Sequence, residues 1–87
     1  MDVLIDPHTL QRAQERGTTA DEIHDVLAIG EPFAARAGRM GKTKVFSFDQ
    51  QRLGRFYKHK RVEVIYTQEA NAIVTVTVYV FFGEWEA

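Results

Sequence analysis

Ile73-Val-Thr-Val-Thr-Val-Tyr-Val-Phe-Phe82 decides how the rest of the chain must be arranged. These ten residues are β-branched or aromatic, carry no Gly or Pro, and read as a strand. Successive strand side chains point to opposite faces. The even positions Val74, Val76, Val78, Val80 and Phe82 are wholly apolar and are expected to face a core. The odd positions Ile73, Thr75, Thr77, Tyr79 and Phe81 mix hydroxyls with apolar groups and suit an open, partly wet face. A strand so apolar on one side belongs inside a sheet, because exposed edges invite aggregation.

Working back toward the N-terminus, two helices are expected to cover the even face. Asp6-Pro7 has the form of an N-cap followed by proline at the first helical position. Ile5 and Leu10 have the spacing of a hydrophobic staple, and Gly17 stops the helix after Arg16. His8, Arg12 and Arg16 share one stripe of that helix, while Leu10 and Ala13 give it a thin apolar face. Thr19-Ala-Asp-Glu22 is a capping box that opens a second helix. Its apolar face is Ile23, Val26 and Leu27, and Gly30 with Pro32 ends it.

Beyond Pro32 the period changes from helical to alternating. The spacing predicts a short strand over Phe33–Arg36, a turn at Gly38-Arg-Met-Gly41 and a strand over Lys44–Phe48. A turn at Asp49-Gln50-Gln51, a strand over Leu53–Tyr57 and a basic turn at Lys58-His59-Lys60 follow. Val62–Thr67 is the next strand, with Val62, Val64 and Tyr66 on one face. Gln68–Asn71 joins it to the long strand as a hairpin, with Asn71 suited to a left-handed conformation. Helices grouped before strands predict a single α+β domain over residues 1–87, two N-terminal helices packed on an antiparallel sheet of four to five strands.

Eighty-seven residues with 45% hydrophobic side chains suit one globular domain. No cysteine is present, which excludes disulfides and thiolate metal sites, and the three histidines are scattered without metal-ligand spacing. The acidic start lacks the basic segment of a secretory signal, and no apolar run reaches the roughly 20 residues of a membrane helix. These features predict a cytoplasmic protein without membrane contact. The net charge of −1 conceals a strong polarity. Residues 1–31 carry seven acids and two bases, residues 36–61 nine bases and one acid, and residues 62–87 four acids and no base. A basic middle segment of this kind attracts anions, nucleic acid among them.

Asp6-Pro7-His8, Arg12, Glu15-Arg16-Gly17, the capping box and a helix ending near Gly30 resemble the family called domain of unknown function 4258. Lys60-Arg-Val-Glu-Val-Ile-Tyr66, a short hairpin and Ile73–Tyr79 extend the resemblance over nearly the whole chain. That family is similar to the RelE/ParE-like toxin superfamily, in which two N-terminal helices pack against a small antiparallel sheet. The resemblance implies an RNA-binding protein of a toxin–antitoxin or polymorphic-toxin system, with RNA that can be ribosome-bound and an antitoxin as protein partner. For a catalytic member it implies a metal-independent endoribonuclease without cofactor.

Such an enzyme needs a base for the ribose 2′-hydroxyl, an acid for the leaving oxygen, and donors that offset charge on the phosphorane-like transition state. His8 is the candidate base or acid, because histidine titrates near neutral pH and this one sits in a first helical turn. Arg16 and Lys60 are candidate phosphate holders, and Thr75 and Thr77 candidate hydrogen-bond donors to phosphate oxygen. Lys44, Arg55, Lys58 and Arg61 are candidate RNA-backbone contacts, and Tyr79 is placed to stack on a base. His24 and His59 are weaker candidates, one beside Asp25 on the second helix and one in the basic turn. No Walker-type glycine loop and no serine nucleophile motif is present. The competing expectation is a non-catalytic protein-interaction or regulatory module of the same fold. The two separate on one point: whether His8, the threonines and the basic segment share a concave face.

Overall fold

The computed structural model describes residues 2–86. In chain order the elements are β1 (Asp2–Leu4), α1 (Pro7–Arg16), α2 (Ala20–Ile29), β2 (Glu31–Ala34), β3 (Met40–Arg52), β4 (Arg55–Glu69) and β5 (Ala72–Gly83), with a 3₁₀ turn at Arg36–Gly38 between β2 and β3. The strands form one sheet in the order β1-β5-β4-β3-β2. All neighbours are antiparallel except β1, which adds to β5 in parallel over Asp2↔Ala72 to Leu4↔Val74. The chain is therefore α+β, with both helices on one face of a five-stranded mixed sheet.

Local signals set both helices. The Asp6 side chain accepts from the His8 N–H at 3.0 Å, and Gly17 ends α1 in the left-handed region. The buried side of α1 is Thr9 and Ala13, and Ile5 packs against the core, whereas Leu10 is 44% exposed. Thr19 caps α2 by accepting from the Glu22 N–H. Glu22 does not complete the capping box. Its Oε1 instead accepts from the Thr18 hydroxyl at 2.8 Å and from Lys60 Nζ at 2.7 Å.

Beneath the helices, Ala13, Ile23, Val26 and Leu27 meet Val62, Val64, Tyr66 and Val78, with Phe46 and Val80 packed around them. The even face of β5 reaches this core only in part. Ile65 pairs with Thr77, but Tyr66 pairs with Thr75, so Val76 is an unpaired bulge residue. The extra residue reverses the alternation on its N-terminal side. Val78, Val80 and Phe82 lie under the helices, but so do Thr75 and Ile73, while Val74 pairs with Thr67 on the opposite side. Thr75 is thus buried, not part of the wet face. Its Oγ1 accepts from the Asp6 N–H at 2.9 Å and donates to Thr9 Oγ1 at 3.0 Å, which satisfies the hydroxyl in the interior.

Two further readings change for the same non-local reason. Asp49-Gln50-Gln51 is a bulge inside β3, with Asp49 at φ 49°, and the strand runs on to Arg52. The reversal falls at Leu53-Gly54, both at positive φ as a tight two-residue hairpin requires. Lys58-His59-Lys60 is not a turn but the interior of β4. At the β4–β5 hairpin the positive φ belongs to Ala70 rather than Asn71. Because β5 stops opposite His59, the segments Gln50–Arg52 and Arg55–Lys58 continue past it as a two-stranded ribbon. The molecule is accordingly long, 42 × 26 × 22 Å. No helix of the described residues is long and apolar enough to cross a membrane.

Three stability measurements test this arrangement. Val78 is fully buried, so Val78→Asp should abolish cooperative thermal unfolding, whereas Thr77→Asp on the other face should leave a folded protein. Lys60→Met strands the Glu22 carboxylate and should lower urea stability by roughly 2–4 kcal/mol, below the full buried-pair range because Glu22 keeps some water access. Adding Glu22→Leu should recover most of that loss. Leu53 is 95% exposed in a left-handed conformation, so Leu53→Asn should raise stability by about 0.5–1 kcal/mol. An unchanged or lower melting temperature for Leu53→Asn would count against that turn geometry.

Candidate functional site

The projecting ribbon carries the densest union of positive charge and aromatic surface. Arg55, Phe56, Tyr57 and Lys58 follow one another on β4, with Phe56 59% exposed. Together with Phe82, Gly83 and Glu84 they line a cleft of about 490 Å³. Its back wall is an aromatic cluster in which Phe82 lies 5.1 Å from Phe48 and 5.6 Å from Tyr57 between ring centroids. The Arg52 guanidinium sits 4.7 Å above Phe82 and donates to the Glu15 carbonyl, fixing the ribbon's base to α1. A neighbouring cleft of about 630 Å³ shares Lys58 and Glu84 and adds His59, Trp85 and Glu86. His59 Nδ1 accepts from the Trp85 backbone N–H at 3.1 Å, which draws the C-terminal segment back onto the sheet.

A third cleft, of about 580 Å³, lies on the open face of the sheet at the other end of β3, lined by Phe33, Arg36, Arg39, Ile65, Thr77 and Tyr79 among others.

The five candidate catalytic residues do not converge. His8 is exposed on the outer surface of α1 and lines none of these clefts. Thr75 is sealed beneath the same helix. Lys60 is 7% exposed and points into the interior, where Nζ donates to the Gly17 carbonyl at 3.0 Å and to Glu22. It is a fastener of the helical hairpin, out of reach of phosphate. Arg16 folds round the edge of β5, donating to the Val78 carbonyl at 2.7 Å and stacking 5.0 Å over Tyr79. Thr77 stands across the sheet from His8, in the open-face cleft.

The candidate RNA contacts are also divided. Lys44 lies 3.9 Å over the Phe46 ring. Arg61 pairs with Glu63 at 3.1 Å and is sandwiched near Phe81 and Trp85, at 5.1 and 5.6 Å. Tyr79 is 42% exposed in the open-face cleft. Arg55 and Lys58 share the ribbon cleft, while Lys44 and Arg61 share another, lined also by Glu31, Thr43 and Trp85. Sequence reasoning missed Phe56, Tyr57, Phe82, Arg36 and Arg39. The signal was Arg-Phe-Tyr-Lys at positions 55–58, hidden when that run was split between a strand and a turn.

No protein-family model, curated protein or solved structure matches the chain, so its functional reading rests on these sites.

Proposed function

We propose that the chain is a single-stranded RNA-binding module of RelE-like resemblance that carries RNA without cutting it. The observation behind this reading is the ribbon cleft, where Arg55 and Lys58 flank Phe56, Tyr57 and Phe82. Cations that track a phosphate backbone, combined with rings that stack on bases, are what sequence-tolerant single-strand binding uses. Glu84 is the one carboxylate lining this cleft. The dispersal of His8, Arg16, Lys60, Thr75 and Thr77 over both faces, the edge and the interior supports the non-cutting reading. No pair among them can hold a 2′-hydroxyl and a leaving oxygen together, as acid–base catalysis needs.

The ribbon supplies the contact and β3 and β4 supply its rigidity. Positive charge brings the strand in, and Phe56, 59% exposed, then offers a flat apolar face to unpaired bases, while Tyr57, the next residue along β4, packs against Phe82. An antitoxin-like protein partner and ribosome-bound RNA fit the same reading as sources of what the module holds.

Fluorescence anisotropy with a labelled single-stranded oligonucleotide tests it. Affinity should fall steeply with salt as condensed counterions are released. Arg55→Glu with Lys58→Glu should abolish binding, and Phe56→Ala should weaken it by about 5- to 150-fold. Lys44→Glu should have little effect. Incubation with RNA in EDTA, with and without ribosomes, should yield no 2′,3′-cyclic phosphate. Binding that ignores the paired reversal would overturn the ribbon, and a cyclic product lost in His8→Ala would restore a ribonuclease.

A further inference from the structure

We propose that the Arg36–Arg39 cleft is a separate docking site for a short acidic peptide segment, one whose carboxylates alternate with aliphatic side chains. This proposal is independent of RNA binding. Arg39 immediately precedes β3 and Arg55 follows the hairpin at its far end, so the two pairs of cations lie near opposite ends of that strand, although the two clefts approach each other on β5, where Tyr79 and Phe82 are three positions apart.

The loop that presents the two arginines is built rather than slack. The Ala35 N–H donates to the Arg39 carbonyl at 3.0 Å, and the Arg39 N–H donates to the Arg36 carbonyl at 3.1 Å. Ala37 and Gly38 are both left-handed, at φ 58° and 72°. Alanine tolerates that region poorly, so the strain is retained at the rim of this cleft. Both arginine side chains are exposed, and neither has a hydrogen-bond or ion-pair partner among the described residues. Arg12, Arg16, Arg52 and Arg61 differ, each being bonded within the molecule.

On the sheet side the cleft is lined by Ile65, Thr77 and Tyr79, an aliphatic side chain beside two that carry hydroxyls. Phe33 closes one side, and its ring occupies the space where a side chain at Gly41 would begin. Gly41 is therefore the residue that lets Phe33 lie flat on the sheet. Arginine and tyrosine are among the residue types that carry most binding energy at protein interfaces.

Charge decides for a peptide against a nucleic acid here. Guanidinium forks match discrete carboxylates, and two of them suffice for a short segment. A polyanion continuing along the open face would meet Glu31 two residues before Phe33, unfavourable to phosphate, and next to Ile65 the Arg61–Glu63 pair, whose charges offset.

Acetylated, fluorophore-labelled peptides of alternating Glu and Leu, and the same peptides with Gln for Glu, provide the probe. The Glu peptide should bind the full chain, and the Gln peptide should bind at least about tenfold more weakly. Arg36→Gln with Arg39→Gln should reduce Glu-peptide affinity by at least about tenfold, with circular dichroism unchanged. Tyr79→Ala and Gly41→Ala should each weaken it, the latter by displacing Phe33. Arg55→Glu with Lys58→Glu should leave it intact, which separates this site from the ribbon. NMR shifts on titration should centre on Ile65, Thr77 and Tyr79. Equal affinity for the Gln peptide, or no binding at millimolar peptide, would overturn the proposal. So would competition by oligouridylate that is lost in the Arg36/Arg39 variant, which would make the cleft a nucleic-acid site. Concentration-dependent sedimentation abolished by that variant would overturn it in favour of a second copy of the chain.

Discussion

Lys60 leaves the middle of β4 and enters the space where α1 ends and α2 begins, and its ammonium there joins the Gly17 carbonyl to the Glu22 carboxylate. Gly17 has just terminated α1 in a left-handed conformation, leaving a carbonyl in need of a donor. Glu22 is the residue a capping box would turn back on Thr19, yet it faces Lys60 and Thr18 instead. One side chain therefore sets the angle of the helical hairpin and anchors it to the central strand. The arrangement costs desolvation of two charges, which only good geometry offsets, and here the distances are 2.7 and 3.0 Å. With the hairpin fixed, Ile23, Val26 and Leu27 are placed over Val62 and Val64.

Both helices were legible because their signals are local. Asp6, Gly17 and Thr19 act on backbone groups within a few residues, so the short stretch of sequence contains the physics. The alternation of β4 was legible for the same reason, and Val62, Val64 and Tyr66 do share the core face. What escaped were the bulges at Val76 and Asp49, where tertiary packing overrides period two. The misplacement of Thr75 follows from the first. Its hydroxyl turns inward because Thr9 and the Asp6 N–H are there to receive it, and those partners lie more than sixty positions away in the chain. The misjudged breaks at Asp49–Gln51 and Lys58–Lys60 follow from the second, since Leu53 is not a residue that announces a tight turn.

Charge is sorted by position rather than by sequence block. Apart from Lys44, which stacks on Phe46, the basic middle segment divides into side chains consumed by the structure and side chains left at its two ends. Lys42 donates to the Leu27 carbonyl, Lys60 is internal, Arg52 and Arg61 are bonded. Arg36 and Arg39 remain at one end of β3, and Arg55 and Lys58 at the other. A block that reads as one patch in the sequence becomes two pairs of cations at opposite ends of β3, although Tyr79 and Phe82, which line the two clefts, are three positions apart on β5. Each is paired with its own aromatic surface, Phe33 and Tyr79 at the first and Phe56, Tyr57 and Phe82 at the second.

The parallel pairing of β1 with β5 has a consequence for the order in which the chain can assemble. Asp2 finds its sheet partner at Ala72, and the Asp6 N–H finds its acceptor at Thr75, 69 positions on. The β3–β4 and β4–β5 hairpins close over short loops, but the first strand has nothing to join until the last has been made. At synthesis rates of about 5–20 residues per second, the N-terminal segment waits several seconds for its partner. During that interval α1 has its cap but lacks the sheet surface that buries Thr9 and Ala13. Sequence-distant closure of this kind places the docking of α1 and β1 late in folding, after the meander of hairpins has formed.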